Sequence, residues 1–536
     1  MGRRRSDDLA LDRLTRRDFL RATGATAFSI AAATALSACT PTTGPAAGSS
    51  SSLSSGPKKL IWGAAVTALR LDPQTSSQTV DLQTFDSIFD TLVWRSPDNQ
   101  LVPRAAREWK MTDPTTWQFK LRPNVKWHNG ETLTGDDVKF TFERAIDPKS
   151  PSIRQTAFPL LSRVDVIDPL TVNFIMKSTD PLWPARLNGM GAWLMPAKYF
   201  QAQGQAGFEL KPIGTGPFRF VELVKNDHIL LERNPDYWGG LPNAETILIR
   251  AIPEASARIT ALVDTGEINF TDIVPFDFVD KVNKGTNTKM ADFRNVGYYT
   301  ITPNVKVKPL DDKRVRQALS LAIDRQSIAK DLMKGRAAVP TGFLCKGDFA
   351  YDESKPPMPY DQAKAKALLQ QAGYANEEIF IESQRNVLLD NEQQVCETVV
   401  AMWKAVGVNA KLEIVEPAVR AEKNRLRNYK GCFTSYFTSV LGDPDGFMWR
   451  TLQTGGGLNY GVQNDEFNRL GKEANTSLDQ ALRMKNYQRM NDLYLDELPT
   501  FAIIEATLGF GLQRYINFNA GPVTSVDFRR DNLTFS

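Results

Sequence analysis

Histidine is nearly absent from this chain: His128 and His228 are the only two in 536 residues. They lie far apart in sequence and form no HExxH, so a histidine-held metal is not indicated. Cysteine is scarce too. Of four, Cys39 stands near the N-terminus, and Cys345, Cys396 and Cys432 show no CxxC spacing. That excludes a zinc ribbon or a redox dithiol, and leaves at most one pair to form in an oxidising compartment. GxSxG and the phosphate-binding GxxxxGK[ST] are missing. Gly214-Thr215-Gly216 begins like a dinucleotide fingerprint, but Arg219 replaces the third glycine and Pro217 leads into strand-like sequence. Asp443-Pro444-Asp445-Gly446 opens like a calcium loop whose twelfth position is Thr454, not glutamate. Nor is there a surplus of one charge. The formal net charge is +4, and Arg3, Arg4, Arg5, Arg13, Arg16, Arg17 and Arg21 crowd the first 38 residues. The remainder has no basic field for nucleic acid. No catalytic set, metal or cofactor is expected.

What is present begins with Thr15–Cys39, TRRDFLRATGATAFSIAAATALSAC. A basic start, an apolar middle and small residues before a cleavage point have the order of an export signal. The apolar part, Ala22–Ala38, is 17 residues diluted by Thr, Ser and Gly; a membrane span wants about 20 strongly apolar ones. Thr15–Arg21, with Arg16 and Arg17, resembles the twin-arginine export signal. Leu36-Ser37-Ala38-Cys39 resembles the bacterial lipobox, which implies cleavage before Cys39 and lipidation of its thiol. Thr40–Gly56, with its serine run, reads as a flexible tether. The expectation is a body of residues 57–536 anchored at a membrane surface, long enough for two or three domains.

Along that body the patterns are α/β. Lys58–Ala65, Trp117–Leu121, Thr171–Met176 and Phe218–Val224 read as strands, three of them alternating apolar and polar. Glu254–Gly266, Lys313–Lys334 and Pro359–Ala372 have helical spacing. Ile379–Ser383, Asn391–Val406 and Val408–Val415 read strand, helix, strand, a βαβ unit with Val395, Val399 and Trp403 toward its sheet. A helix over Leu478–Leu495 and a short strand over Thr500–Ile504 close the pattern. Asn129-Gly130 predicts a type I′ turn, and Asp136 and Asp137 a helix N-cap.

Several blocks carry a resemblance. Leu121-Arg122-Pro123-Asn124-Val125-Lys126-Trp127-His128-Asn129-Gly130-Glu131 runs on through Leu133-Thr134-Gly135-Asp136-Asp137-Val138 to Phe142-Glu143-Arg144. It is followed by Ile213–Phe218, Arg233–Gly240, Val315–Leu319 with Ala322–Arg325, and Tyr360–Tyr374. Together these resemble the family 5 extracellular solute-binding proteins, the peptide and nickel class of ABC importer receptors. The resemblance implies a periplasmic-binding-protein-like α/β fold, with two lobes closing on a ligand. Lobe I would hold 57–90, 211–304 and 503–536, an inserted subdomain 91–210, and lobe II 305–502. The hinge would lie near Pro303-Asn304 and Ala502-Ile503. The implied partners are a small-molecule or short-peptide ligand and a membrane permease with its ATPase, and the implied state is a monomer outside the cytoplasm. A tethered hydrolase is the alternative.

For the ligand, the resemblance implies wall positions at Ser76, Ser77, Tyr299, Tyr436 and Phe437. Family members that bind free-amine peptides have an aspartate where Val440 stands here, which weakens that reading. Asp443 could substitute for it or simply cap its own turn. Arg385 resembles the arginine that clamps a ligand carboxylate, for which a guanidinium fork is suited. With neither histidine near these positions, direct nickel coordination is disfavoured.

Overall fold

The computed structural model describes residues 58–536 apart from 77, 97–99, 156, 190, 295–296, 385–390, 440, 446–447 and 522–525. Arg16, Arg17, Cys39, Ser77, Arg385 and Val440 therefore lie outside the described residues.

The organising element is one strand, Phe501–Gln513, 13 residues long. All but one of its residues are buried, so its sequence, FAIIEATLGFGLQ, lacks the alternation of a half-exposed strand. The expected strand stopped at Ile504 because Glu505, Gly509 and Gly511 interrupt the apolar run. The strand changes partners along its length. Its start pairs antiparallel with Gly297–Pro303 (Ile301↔Phe501, Tyr299↔Ile504). Glu505 and Ala506 pair with Ala337–Ala338. From Thr507 on it pairs with Thr288–Arg294 and Phe270–Ile273.

A sheet of twelve strands is thereby continuous. Beyond Gly297–Pro303 lie Cys432–Thr438, Ile379–Ser383 and Ala410–Ile414; beyond Phe270–Ile273 lie Lys59–Ala64, Thr246–Ala251, His228–Arg233 and Phe218–Val224. The change of partner falls at Ile504–Thr507 and between Arg294 and Gly297. Gly297–Pro303 accordingly belongs with the second half of the sheet.

The βαβ unit forms as expected: Ile379–Ser383 and Ala410–Ile414 are parallel neighbours, joined by the helix Glu392–Ala405. Val395, Val399 and Trp403 are fully buried, and the Trp403 indole donates to Leu319 O at 2.9 Å. A separate antiparallel sheet of four strands, Ala106–Asp113, Thr116–Leu121, Thr171–Met176 and Leu161–Asp168, packs against the helix Gly135–Ile146. It has its own core, in which Phe142 stands edge-on to Phe174 at 5.1 Å.

Three expectations are corrected. The helix over 313–334 is broken into Lys313–Leu321, Arg325–Ser327 and a wide turn at Ile328–Leu332. At the break Asp324 accepts from Ser327 N, and the buried Arg325 guanidinium donates to Ala502 O (2.7 Å) and Ser320 O (2.9 Å). The Asn129-Gly130 turn is not type I′, because only Gly130 has positive φ (+89°). Gly130 N donates to Trp127 O and Trp127 N to Glu131 O, the signature of a three-residue loop with a left-handed closing glycine. The N-cap of Gly135–Ile146 is Thr134, with Asp137 completing a capping box.

A seam of arginines and carboxylates

The site is built where the strand end after Cys432–Thr438 meets chain from 91–210. Cys432–Thr438 pairs antiparallel with Gly297–Pro303, setting Tyr299 opposite Tyr436 and Tyr298 opposite Phe437. Alternation puts the first pair on one face of the sheet and the second on the other. Tyr299 is buried with its hydroxyl 3.3 Å from Cys396 Sγ, and burial raises its pKa well above the usual range. Tyr436 is half-buried on that same face. Phe437, by contrast, lies stacked and coplanar with Tyr298 at 5.2 Å, inside the core. The structure thus joins Tyr299 to Tyr436 and parts both from Phe437.

Beside Tyr299 a buried carboxylate opens the βαβ helix. Glu392 accepts from Ser383 Oγ at 2.7 Å and from Thr434 Oγ1. Burial raises its pKa, opposed by those two hydroxyls.

Ser76 serves the backbone. Its hydroxyl donates to Asp81 Oδ2 at 2.5 Å and accepts from Gln78 N, fixing the start of the helix Thr79–Ile88. Asp443 is held elsewhere as well. Arg483 donates to both its oxygens at 2.9 and 2.8 Å, and Asp445 N caps its turn at 3.0 Å. Burial raises the Asp443 pKa, and Arg483 opposes the rise.

Two arginines that the sequence reading passed over cross to this turn. Arg95 Nη2 donates to Leu441 O at 2.5 Å. Arg186 Nε donates to Asp180 at 2.7 Å, and its Nη2 reaches Asp445, 259 residues away in sequence. Trp449 Nε1 donates to the other Asp445 oxygen at 2.7 Å. Burial works against the charge on Arg186, but Asp445 and Asp180 outweigh it and hold the group protonated. Arg95 has its pKa lowered by burial, with Asp443 and Asp348 opposing. No sequence signal marks these pairs, since only tertiary packing brings 95, 186 and 445 together. Asp348 completes the seam: it is buried, Cys345 N donates to its Oδ2 at 3.0 Å, and Phe349 N ties its loop to Gly442 O at 2.9 Å.

The two histidines lie apart from this seam. His128 is wedged between Gly214 N (3.2 Å) and Gly216 O (3.0 Å), and His228 bonds Asp227 and Glu222. Among the described residues no group of three metal-binding side chains forms, and no helix is long and apolar enough to cross a membrane.

Comparison with known proteins agrees with this architecture. The model of bacterial extracellular solute-binding proteins, family 5 (middle region), matches residues 100–459. The chain is 27% identical over 468 residues to the dipeptide-binding protein of Escherichia coli K12, covering 81% of this chain and 86% of that one. It is 31% identical over 309 residues to the glutathione-binding protein GsiB of Pectobacterium atrosepticum, covering 57% and 59%. In three dimensions it resembles a dipeptide-binding protein from Pseudoalteromonas sp. SM9913 solved with Met-Leu (TM-score 0.79, 21% identity, 89% of this chain and all of that one). It also resembles the oligopeptide-binding protein AppA of Bacillus subtilis solved with a nonapeptide (TM-score 0.77, 22% identity, 90% and 99%). At such identities the structural likeness establishes the solute-binding-protein fold and nothing finer. With the family model spanning well over half of its length, this chain belongs to the bacterial extracellular solute-binding proteins, family 5.

Proposed function

We propose that the chain captures a peptide-like or other small organic solute outside the cytoplasmic membrane and hands it to the permease of an ABC importer. The observation that carries this reading is the family match over 100–459. Relatives named for binding dipeptides, glutathione and heme support it. In this reading one lobe holds 57–90, 211–294 and 507–536, the inserted subdomain 91–210, and the second lobe 297–504. The lobes turn about the segments where Phe501–Gln513 changes partners.

The solute lies between them, with Tyr436 offering a flat face and Arg385 clamping an anionic group. Binding leaves the solute chemically unchanged. The body acts as a monomer tethered through lipidated Cys39 after twin-arginine export, so Arg16-Arg17→Lys-Lys blocks export and Cys39→Ala releases the protein from membranes. The deciding experiment denatures the purified protein and identifies the released small molecule by mass spectrometry, followed by thermal shift with that compound. A solute recovered intact, raising Tm with concentration, is the expected result. Conversion of the solute into product would overturn the reading in favour of a hydrolase.

A further inference from the structure

Each side of the seam is assembled on its own body. On the 91–210 side, Arg186 Nε donates to Asp180 Oδ2 at 2.7 Å and Arg186 Nη2 to Asp180 Oδ1 at 3.3 Å. Leu182 N donates to the same carboxylate at 3.1 Å, and the Trp117 indole to Asp180 O at 3.0 Å. Arg186 ends the short helix Trp183–Arg186 and Asp180 stands just before it, so this pair belongs to one piece of chain. On the other side, the Trp449 indole donates to Asp445 Oδ1 at 2.7 Å, and Arg450 Nη2 lies 3.3 Å from that oxygen. Arg483, from the helix Gln480–Glu497, grips both oxygens of Asp443, and Asp443 Oδ1 accepts from Asp445 N.

Arginines make the crossing. Arg186 Nη2 donates to Asp445 Oδ2, and Arg95 Nη2 to Leu441 O at 2.5 Å. Arg186 and Asp445 are 7% and 0% exposed, so their contact is dry. A buried ion pair repays its desolvation only when its geometry is set. Here Asp180 orients the guanidinium and Trp449 the carboxylate before the two meet, so little side-chain freedom remains to be lost. Parting the sides also strands no charge: Asp180 keeps Arg186, and Asp445 keeps Arg450. Water then covers both halves and weakens what attraction is left between them. The contact is firm when closed and readily undone when open.

We propose that Arg186 is a positioning residue of solute capture: acting through Asp445, it latches the 441–445 turn to the inserted subdomain when the lobes shut and releases it when they part. This rests on the solute-capture reading above. The turn continues the strand Cys432–Thr438, which carries Tyr436, so fixing the turn fixes that wall of the cleft. Arg95 adds a second hold through the Leu441 carbonyl. The inserted subdomain is then a working part of the closure, because the grip on the second lobe comes from its arginines.

The test needs no identified solute. Ile167, in the strand Leu161–Asp168, and Leu478, just before the helix Gln480–Glu497, are exposed on the two sides. Ile167→Cys and Leu478→Cys in the full chain, with Cys39→Ala, accept spin labels while Cys345, Cys396 and Cys432 stay buried. Double electron–electron resonance then reads the distance between the sides. The otherwise unaltered protein should populate a short distance. Arg186→Met and Asp445→Asn should each lower the ratio of short to long about tenfold or more. Arg186→Lys, which keeps a charge, should restore part of it. An unchanged ratio in Arg186→Met overturns the latch, and a lowered urea midpoint beside that unchanged ratio marks a merely structural arginine. Where Arg186→Met does not fold, Asp445→Asn decides by the same ratio. If a mixture of di- and tripeptides shortens the distance while these variants leave it unmoved, the latch falls and solute capture stands. One distance that neither the variants nor the peptides shift means that the sides do not part, and the capture reading falls with the latch.

Discussion

Two buried networks of arginine and aspartate in this molecule look alike in composition and differ in what they join. In the C-terminal network Arg529 donates to Asp90 (2.6 Å), Asp527 (2.8 Å) and the Tyr237 hydroxyl (2.7 Å). Arg104 and Asn532 take the other Asp527 oxygen, and Trp238 and Thr215 the other Asp90 oxygen. Burial opposes the charge on Asp527, but Arg529 and Arg104 outweigh it and hold its pKa below the usual carboxylate range. Every carboxylate oxygen there is used. At the seam, Asp445 is held by Arg186, Arg450 and Trp449, Asp443 by Arg483, and Asp348 by the Cys345 N–H and Ser439. The first pins the C-terminal segment to the residue 79–90 and 237–238 elements, and the second lies where separate parts of the chain meet.

The comparison breaks most visibly at Arg529. Replacing it by Met leaves Asp90 buried without its cation and Asp527 with Arg104 alone, a loss of about 3–5 kcal/mol. Urea unfolding should show the midpoint falling by that margin, or no folded protein at all. A loss below about 1 kcal/mol would mean that this network is not the scaffold it is taken to be.

Arg186→Met is the matching change at the seam, and its effect should be divided differently. Asp180 loses its cation while Asp445 keeps Arg450, and parting the two sides returns the carboxylates to water, so the stability loss stays at about 1–3 kcal/mol. Solute affinity, which needs the sides together, should fall about tenfold or more. Small-angle scattering with saturating solute should show a larger radius of gyration than for wild type. If Arg186→Met and Arg529→Met cost equal stability and spare affinity, the two networks do not differ in kind.

Neither network left a trace in the sequence, because each joins residues hundreds of positions apart, 439 for Arg529 and Asp90 and 259 for Arg186 and Asp445. Features made by near neighbours were legible: the alternating strands Thr171–Met176 and Phe218–Val224, and the βαβ unit around Val395, Val399 and Trp403. The turn at Asp443 was legible too, including its self-capping. What failed needed tertiary contacts. The helix after Lys313 breaks where buried Arg325 reaches Ala502. The long strand continues past Glu505 because both its faces are covered. Phe437 and Tyr436 sit next to each other in sequence, and alternation sends them to opposite faces. The seam arginines have no periodicity or motif, only partners 259 and 346 residues away.

Acidity sharpens the comparison at a smaller scale. His128, buried between two backbone groups, has its pKa lowered to about 4 chiefly by that burial. The unfolded chain takes up this proton near 6.5, so between about pH 4 and 6.5 it binds more protons than the folded chain, and stability rises with pH. Asp86, next to the C-terminal network, is pushed up to about 8 by burial, against Arg529 and the Trp193 indole. Folded chain keeps that proton after unfolded chain has released it at 3.8, so Asp86 makes stability fall as pH rises from about 4 to 8. Asp86→Asn should remove this fall in a Tm profile taken over that range. Saturating solute should leave the Asp86 contribution unchanged, because Asp86 does not belong to the seam.

The smallest change tests whether stability alone controls binding. Gly130 has φ +89°, and a Cβ built there meets nothing within 4 Å. Gly130→Ala therefore costs only backbone strain, about 1 kcal/mol, at a turn that belongs to neither network. Chemical denaturation should register that loss while solute affinity stays at the wild-type value. If affinity falls in step with stability, the solute is sensing the firmness of the whole body, and the division between a scaffold network and a solute-linked seam would have to be abandoned.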